Sequence, residues 1–166
     1  MNPIKLPLDD SDYLRAVAAV RRHASLDDTA WFETICLDES GRFKAERAAY
    51  VCCYEPSTNR TFTGIVRLGD ASLHDWQHIP GVQPRILPEE SVVVCELARR
   101  HPEMIEKLLE RGIDDPSRVL IEAWSAGHFG GAEEDEQRLA YGFCWLMNDA
   151  GDNPYARPIG NLHPVF

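Results

Sequence analysis

Few residues of this sequence combine the types and the spacing that chemistry requires. His74 and His78 lie in a segment that predicts a strand with both side chains on one face, but no third metal ligand follows at a suitable spacing. Ser125 lacks the Gly-x-Ser-x-Gly turn that exposes a serine nucleophile, and the glycines after it do not match a phosphate-binding loop. The residues alone therefore predict no autonomous active site.

The cysteines are odd in number and lie in apolar or strand-like segments, with no Cys-x-x-Cys pair; they are Cys36, Cys52, Cys53, Cys95 and Cys144. A secreted chain of this size would favour an even, disulfide-forming set. The N-terminus lacks the apolar stretch of a signal peptide. We therefore expect reduced, mostly buried thiols in a cytoplasmic protein.

The charge balance limits the partners. The 166 residues contain 17 Lys and Arg against 27 Asp and Glu, so the net charge is 17 − 27 = −10. Nucleic acids and anionic membranes need clustered basic residues, and no apolar run approaches the roughly 18 residues of a membrane span. We expect neither as a partner.

Hydrophobic periodicity predicts the elements that carry these residues. The first half reads as a helix over 10–23 with a Leu14, Val17 and Ala18 stripe, followed by strands over 30–37, 47–54, 60–67 and 72–79. The second half reads as a helix from Pro88 with a Val93, Val94 and Leu97 stripe, a second helix after 101–102, and strands over 118–124 and 138–147. We predict an α+β fold of two small domains, 1–81 and 82–166, each a helix followed by antiparallel sheet.

Three segments of the second half together resemble a known family. They are Trp-Ser-Ala-Gly-His-Phe at 124–129, Arg-Leu-Ala at 138–140, and Asp-Asn-Pro-Tyr-Ala-Arg-Pro at 152–158 followed by Ile-Gly-Asn-Leu. They resemble the N3 domain of copper-containing primary-amine oxidases, while residues 75–84 resemble the end of the family's N2 domain. The resemblance covers nearly the whole chain and is strongest from about residue 75. It implies cystatin-like N2 and N3 domains.

In that family a later catalytic domain holds copper with three histidines, two of them as His-x-His, and forms topaquinone from a tyrosine within Asn-Tyr-Asp/Glu. This sequence contains neither motif. The resemblance therefore implies no cofactor in this chain, with copper and topaquinone in a partner chain. One hypothesis is a non-catalytic small subunit of a split amine oxidase acting on an aromatic amine such as tyramine. The alternatives are a stand-alone cystatin-like binding or dimerisation module and a small independent enzyme; we favour the first.

The resemblance also implies site residues. Ser91, Trp124 and Tyr155 match positions that wall the substrate channel in the family, although core packing is the competing interpretation for the two aromatic residues. The apolar end of the sequence, with Leu162, Val165 and Phe166, resembles an unfinished sheet edge that a large catalytic subunit would complete. In isolation this edge would allow a homodimer, and docking onto the chain's own core is the other possibility.

Overall fold

The computed structural model describes residues 6–44, 46–127, 134, 137–149, 151 and 153–165. The chain forms two compact units, 1–84 and 85–166, whereas the sequence placed the break after residue 81. Each unit packs helices against antiparallel strands, so the predicted α+β fold is confirmed. Within the described ranges, no helix has the length and apolar character needed to cross a membrane.

The first unit is one helix on a four-stranded antiparallel meander. Its elements are α1 (Asp10–His23), β1 (Trp31–Leu37), β2 (Ala48–Glu55), β3 (Arg60–Arg67) and β4 (Ser72–Ile79), with strand order β1-β2-β3-β4. The Asp9 carboxylate accepts a hydrogen bond from the Asp12 N–H at 3.0 Å, and the Asp12 carboxylate accepts one from the Asp9 N–H at 3.2 Å. This reciprocal capping fixes the start of α1.

The buried side of α1 differs from the predicted stripe. The buried residues are Asp12, Ala16, Ala19 and Val20. Of the predicted stripe, Leu14 and Ala18 are exposed and Val17 is half-buried, so the prediction is wrong for Leu14 and Ala18. The hydrophobic pattern misleads because alanine side chains let the helix approach the sheet closely. In addition, the buried Asp12 carboxylate is neutralised by an ion pair with Arg47. The face that packs is thus set by small residues and a charge pair.

A bulge in β4 separates the two histidines that the sequence placed together. Ile65 of β3 pairs with His74, whereas Phe62 pairs with His78, and the register shifts between these pairs. Asp75 has a φ of 52°, a left-handed conformation found in β-bulges. Phe62 and Ile65 are three residues apart in β3 and therefore lie on opposite faces of the sheet. Because each histidine shares the face of the residue it pairs with, His74 and His78 also lie on opposite faces. The predicted common face is wrong.

The second unit places two helices on one face of a two-stranded sheet. Its elements are α2 (Pro88–Arg100), α3 (Pro102–Leu109), β5 (Val119–Ser125) and β6 (Ala140–Leu146). Its core consists of buried residues from all four elements and the C-terminal segment: Ala98, Met104, Leu108, Ile113, Val119, Ile121, Cys144, Ile159 and Leu162. The C-terminal segment thus belongs to the core of this unit.

The buried side of α2 also differs from the prediction. Ala98 is buried and the Cys95 thiol donates to the Ile121 carbonyl oxygen at 3.1 Å, whereas Val93 and Leu97 are exposed. The predicted stripe is therefore wrong for those two residues, while Val94 is half-buried. As in α1, small side chains face the sheet and the larger apolar residues lie outside.

The described cysteines are all free of disulfide bonds. Cys52, Cys53 and Cys144 are buried, Cys95 is half-buried and Cys36 is exposed. Burial raises the pKa of Cys53 to about 12 and that of Cys144 to about 11. Both thiols therefore stay protonated at neutral pH and are poor nucleophiles. The reduced state in the cell stays a prediction.

Candidate functional site: an exposed aromatic face of the second unit

The two faces of the β5–β6 sheet differ sharply in side-chain size. On the helix side, Ile121 pairs with Cys144 and Ala123 with Gly142. On the opposite side, the register aligns three pairs that contain large side chains: Leu120 with Trp145, Glu122 with Phe143, and Trp124 with Tyr141. The alternation of large and small residues in β6 thus places the small side chains under the helices and leaves the aromatic ones outside.

Four aromatic side chains and one carboxylate on this outer side form what we call the aromatic face: Glu122, Trp124, Phe143, Trp145 and Tyr155. The Trp124 and Phe143 ring centroids lie 5.9 Å apart at 80°, and those of Trp145 and Tyr155 lie 5.2 Å apart at 77°. The Phe143 and Trp145 ring centroids lie 6.3 Å apart, and this contact connects the two pairs. Edge-to-face contacts of this kind hold the rings in a defined arrangement.

The aromatic face is open to solvent in this chain. Trp124 is 59% exposed, Tyr155 53% and Phe143 38%. The core-packing interpretation of Trp124 and Tyr155 therefore does not describe their position in the chain. A contiguous exposed patch of large aromatic side chains is typical of an interaction or ligand-binding surface.

Glu122 joins the two residues that the sequence assigned to the site. The Tyr155 hydroxyl donates a hydrogen bond to Glu122 Oε1, and Trp124 Nε1 donates to Glu122 Oε2 at 3.4 Å. The hydrogen bond to the Glu122 carboxylate raises the pKa of Tyr155, so its hydroxyl stays a donor at neutral pH. Within the described ranges, no lysine or arginine forms an ion pair with Glu122.

Sequence reasoning missed Glu122. Its signal is its position: it alternates with Leu120 and Trp124 on the outer side of β5, so it is a carboxylate among large apolar residues. A single glutamate in a strand usually indicates only a solvated face, and nothing in the sequence showed that Tyr155 would reach it. The partnership depends on tertiary structure.

The Asn-Pro-Tyr-Ala segment positions Tyr155 beside β6. The Asn153 side chain accepts a hydrogen bond from the Tyr155 N–H at 3.0 Å and caps the 3₁₀ turn Pro154–Ala156. Beyond the turn, the chain pairs with β6: the Leu146 N–H donates to the Arg157 carbonyl at 2.9 Å, and the Ile159 N–H donates to the Cys144 carbonyl at 2.9 Å. This motif therefore fixes a tyrosine at the edge of the aromatic face. Asp152 of the same motif lies outside the described residues.

Ser91 does not join the aromatic face. It precedes Cys95 by four residues and Ala98 by seven, which puts it on the side of α2 that faces the sheet. Trp124 and Tyr155 lie on the other side of that sheet. The assignment of Ser91 to a substrate channel stays a prediction from the resemblance.

The C-terminal segment partly covers the free edge of β6. The Gly142 N–H donates to the Pro164 carbonyl at 2.8 Å, and Tyr141 forms a bridge with Val165. Leu162 is 6% exposed within the core, whereas Val165 is 50% exposed; Phe166 lies outside the described residues. Leu162 is therefore anchored in this chain, and partner contact by this segment stays a prediction.

A half-buried ion pair connects the start of α2 with Arg138, two residues before β6. Arg138 Nε and Glu90 Oε1 lie 2.6 Å apart, and Arg138 donates a second hydrogen bond to Glu90 Oε2 at 2.6 Å. Glu90 also accepts from the Leu87 N–H at 2.7 Å. Burial alone would raise the pKa of Glu90, but the hydrogen bonds from Arg138 and Leu87 lower it overall. The Arg-Leu-Ala segment of the sequence thus has a structural role.

No group of three or more histidine, cysteine or acidic residues in the described ranges has a geometry that could hold a metal ion. The aromatic face presents a carboxylate, a hydroxyl and an indole N–H among aromatic rings, an arrangement typical of a binding surface.

Comparison with known proteins agrees with the sequence resemblance. Residues 89–166 match the family model of the copper amine oxidase N3 domain. The chain is 26% identical over 163 residues to a primary amine oxidase of Arthrobacter sp. (strain P1), covering 94% of this chain and 25% of that protein. It is 29% identical over 131 residues to a peroxisomal copper-containing diamine oxidase of Nicotiana tabacum, covering 70% of this chain and 17% of that protein.

A solved structure gives the same result for the fold. The copper-containing benzylamine oxidase from Hansenula polymorpha superposes with a TM-score of 0.66 at 20% identity, covering 96% of this chain and 27% of that chain. This chain thus spans about a quarter of the length of the first relatives it matches. Residues 89–166 thus match an N3 domain, and these similarities support the predicted resemblance to the N-terminal region of copper amine oxidases.

Proposed function

We propose that this chain is a non-catalytic small subunit of a copper amine oxidase and that it lines the path of the amine. Copper and topaquinone, held by a separate catalytic chain, would supply the oxidation. The 166 residues contain no His-x-His and no Asn-Tyr-Asp/Glu. The match of residues 89–166 to the N3 family model supports the N-terminal role, and the separate catalytic chain is our proposal.

The observation that carries the channel role is the common position of Trp124 and Tyr155. They are 31 residues apart in sequence, yet both bind one carboxylate on one exposed face. The two motifs that support the resemblance, at 124–129 and 152–158, are the segments that supply them. An exposed aromatic wall with one anionic group suits an aromatic amine such as tyramine, since the ring can stack and the ammonium group is cationic.

We further propose that Val165 and Phe166 contact the catalytic chain, with Leu162 as the anchor that holds this segment against β6. Val165 is 50% exposed at the sheet edge, where it bridges to Tyr141, and this position supports a role of the segment in partner contact. A cytoplasmic location is part of the same proposal and rests on the free thiols.

The test is co-expression of the tagged chain with a candidate catalytic chain that encodes both missing motifs. We expect the two chains to co-purify, the complex to contain copper, and the complex to release peroxide from tyramine. The small chain alone should contain no stoichiometric copper and release no peroxide. Leu14→Ala, an exposed change in the first unit, serves as a control that keeps association and activity.

Two results would contradict the proposal. If the native polypeptide in its source organism is longer and contains both motifs, the separate-subunit part is wrong. If the chain binds no catalytic polypeptide and instead forms a stable homodimer, the stand-alone dimerisation module replaces it.

A further inference from the structure

The outer side of α1 carries apolar residues that no other part of the described chain covers. Leu14 is 72% exposed and Tyr13 41%, Ala18 is exposed, and Val17 is half-buried. Residues 14, 17 and 18 follow the spacing of three and four residues that forms one helix face. The opposite face of α1 packs in the core of the first unit. Helices that are apolar on two sides are usually buried on both.

The two ends of this outer face carry opposite charges. Asp10 is exposed at the start of α1, and Arg21 and Arg22 are exposed near its end. Among the residues that the structure describes, neither Asp10 nor Arg22 takes part in an ion pair. The face therefore runs from an acidic end, over an apolar middle, to a basic end. A partner whose charges run in the reverse order would satisfy both ends.

From this order we infer that the outer face of α1 binds the same face of a second copy of the chain, with the two helices antiparallel. A two-fold axis beside residue 16 brings Leu14 of one copy opposite Ala18 of the other, because both lie two residues from that point. The large side chain then fills the space beside the small one. Asp10 of each copy comes level with Arg22 of the other, whereas a parallel pair would put like charges together.

The outer stripe of α2 does not meet the same condition, although it is comparably exposed. Val93 is 57% exposed and Leu97 58%. Glu96 lies between them on this face, near the middle of the helix. An antiparallel pair of α2 helices would place the two Glu96 carboxylates close to the two-fold axis, where like charges repel. The outer face of α1 is thus the one suited to pairing with itself, and α2 offers a matched control.

The size of the α1 face predicts a weak and reversible dimer. α1 has 14 residues, so the contact is about 21 Å long. A single helix pair buries less than the roughly 1,200 Å² of a stable interface, so we expect a dissociation constant on the order of 100 µM. The dimer uses residues of the first unit only, whereas the contact proposed above with a catalytic chain uses the C-terminal segment of the second. Association of Leu14→Ala with a catalytic chain should therefore be unaffected.

The experiment is sedimentation equilibrium of the whole 166-residue chain at concentrations up to about 1 mM, in about 0.15 M salt to screen the repulsion between chains of net charge −10. The average mass should rise from monomer toward dimer. Leu14→Glu should weaken the dimer at least about tenfold, because it puts a carboxylate into the apolar middle of the contact. Leu97→Glu on α2 is the matched control and should change nothing. Circular dichroism checks that both variants keep their helices.

A charge exchange tests the antiparallel order directly. Asp10→Lys and Arg22→Glu should each weaken self-association about threefold or more, because each variant brings like charges together at both ends of the contact. An equal mixture of the two variants restores opposite charges at both ends. Its association should therefore return to within about twofold of that of the wild-type chain.

The inference is wrong if the chain stays monomeric at about 1 mM, if Leu14→Glu leaves the dimer unchanged, or if the mixture associates no better than its separate components. It is also wrong if Leu14→Glu instead weakens binding to a catalytic chain, since the face would then belong to that partner. The sedimentation measurements use this chain alone. A failure to dimerise would therefore leave the proposed function standing, and failure to find a catalytic chain would leave the dimer intact.

Discussion

The two units differ in how they use the sheet face that points away from their helices. In the first unit much of that face is covered: Tyr54 is buried against the Trp31 ring at 5.4 Å, and the buried Thr61 hydroxyl donates to the Val82 carbonyl at 2.7 Å. In the second unit the corresponding face leaves Trp124 and Tyr155 more than half exposed. On this face the first unit buries Tyr54, whereas the second exposes Trp124 and Tyr155.

This difference is the one expected if the exposed rings serve binding, as we propose, rather than the stability of the chain. A sheet that only had to fold would gain by covering such side chains, as the first unit does. The comparison therefore predicts large stability effects for buried residues in either unit and small ones for the aromatic face.

Truncation of the second core should give the largest effect. Leu108 is 1% exposed within the core of the second unit, so Leu108→Ala should lower the free energy of unfolding of that unit by about 2–5 kcal/mol. Denaturant unfolding followed by tryptophan fluorescence measures it. The adjacent Leu109→Ala, at an exposed position, is the matched control and should cost far less. Equal effects would mean that the assigned core is wrong.

Breaking the ion pair at the start of α2 should rank second. Arg138→Ala leaves the Glu90 carboxylate partly buried without its main partner, so we expect a loss of about 1–3 kcal/mol. Arg100→Ala, which removes an exposed pair with Glu96, is the control and should cost less than about 0.5 kcal/mol.

The same pair should appear in the pH dependence of stability. The pKa of Glu90 is lowered from its ordinary value of 4.5, so its contribution is fully present above that pH and is lost as the pH falls through the lower folded pKa. Arg138→Ala should weaken this acid destabilisation. A pH profile identical to that of the wild-type chain would show that Arg138 does not stabilise the ionised form of Glu90.

Displacing the C-terminal segment should have a smaller effect. A Cβ at residue 142 would lie 2.7 Å from Pro164 Cγ, so Gly142→Ala should push the segment from β6 at a cost of about 1–2 kcal/mol. Hydrogen exchange of the residue 142 amide, which donates to Pro164, should accelerate. Gly160→Ala, where a Cβ meets no atom within 4 Å, is the control. Unchanged exchange in Gly142→Ala would contradict the observed pairing.

The aromatic face should give the smallest stability effect. Trp124→Ala and Tyr155→Phe change exposed side chains, so each should alter the free energy of unfolding by no more than about 0.5–1 kcal/mol. A loss comparable to that of Leu108→Ala, measured in the same denaturant titration, would show that the rings stabilise the chain and would weaken the comparison between the units.

Sequence reasoning predicted the strands well and the packed helix faces poorly. Alternation of period two located all four strands of the first unit, because one face of each strand must be apolar. The α1 and α2 stripes were wrong because close helix–sheet packing selected alanine and cysteine over larger residues such as Leu14 and Leu97.

The candidate site was only partly predictable for similar reasons. Trp124 and Tyr155 were predicted from motifs that resemble those of the family. Such a resemblance identifies residues in the sequence but not the contacts that they make. Glu122 could not be found, since its importance depends on a turn that brings residue 155 to β5. The β4 bulge could not be predicted either, because the φ of 52° at Asp75 is a local backbone feature that the pattern of apolar residues does not reveal.

The most direct test of the central claim is to measure kcat/KM for tyramine with two co-expressed complexes, one that contains the wild-type chain and one that contains the Trp124→Ala variant. If this chain lines the amine path, the variant should lower kcat/KM by about tenfold, mainly through KM, while copper content and complex stability stay unchanged. An unchanged kcat/KM in a complex of normal composition, or peroxide release by this chain without a catalytic partner, would contradict the account.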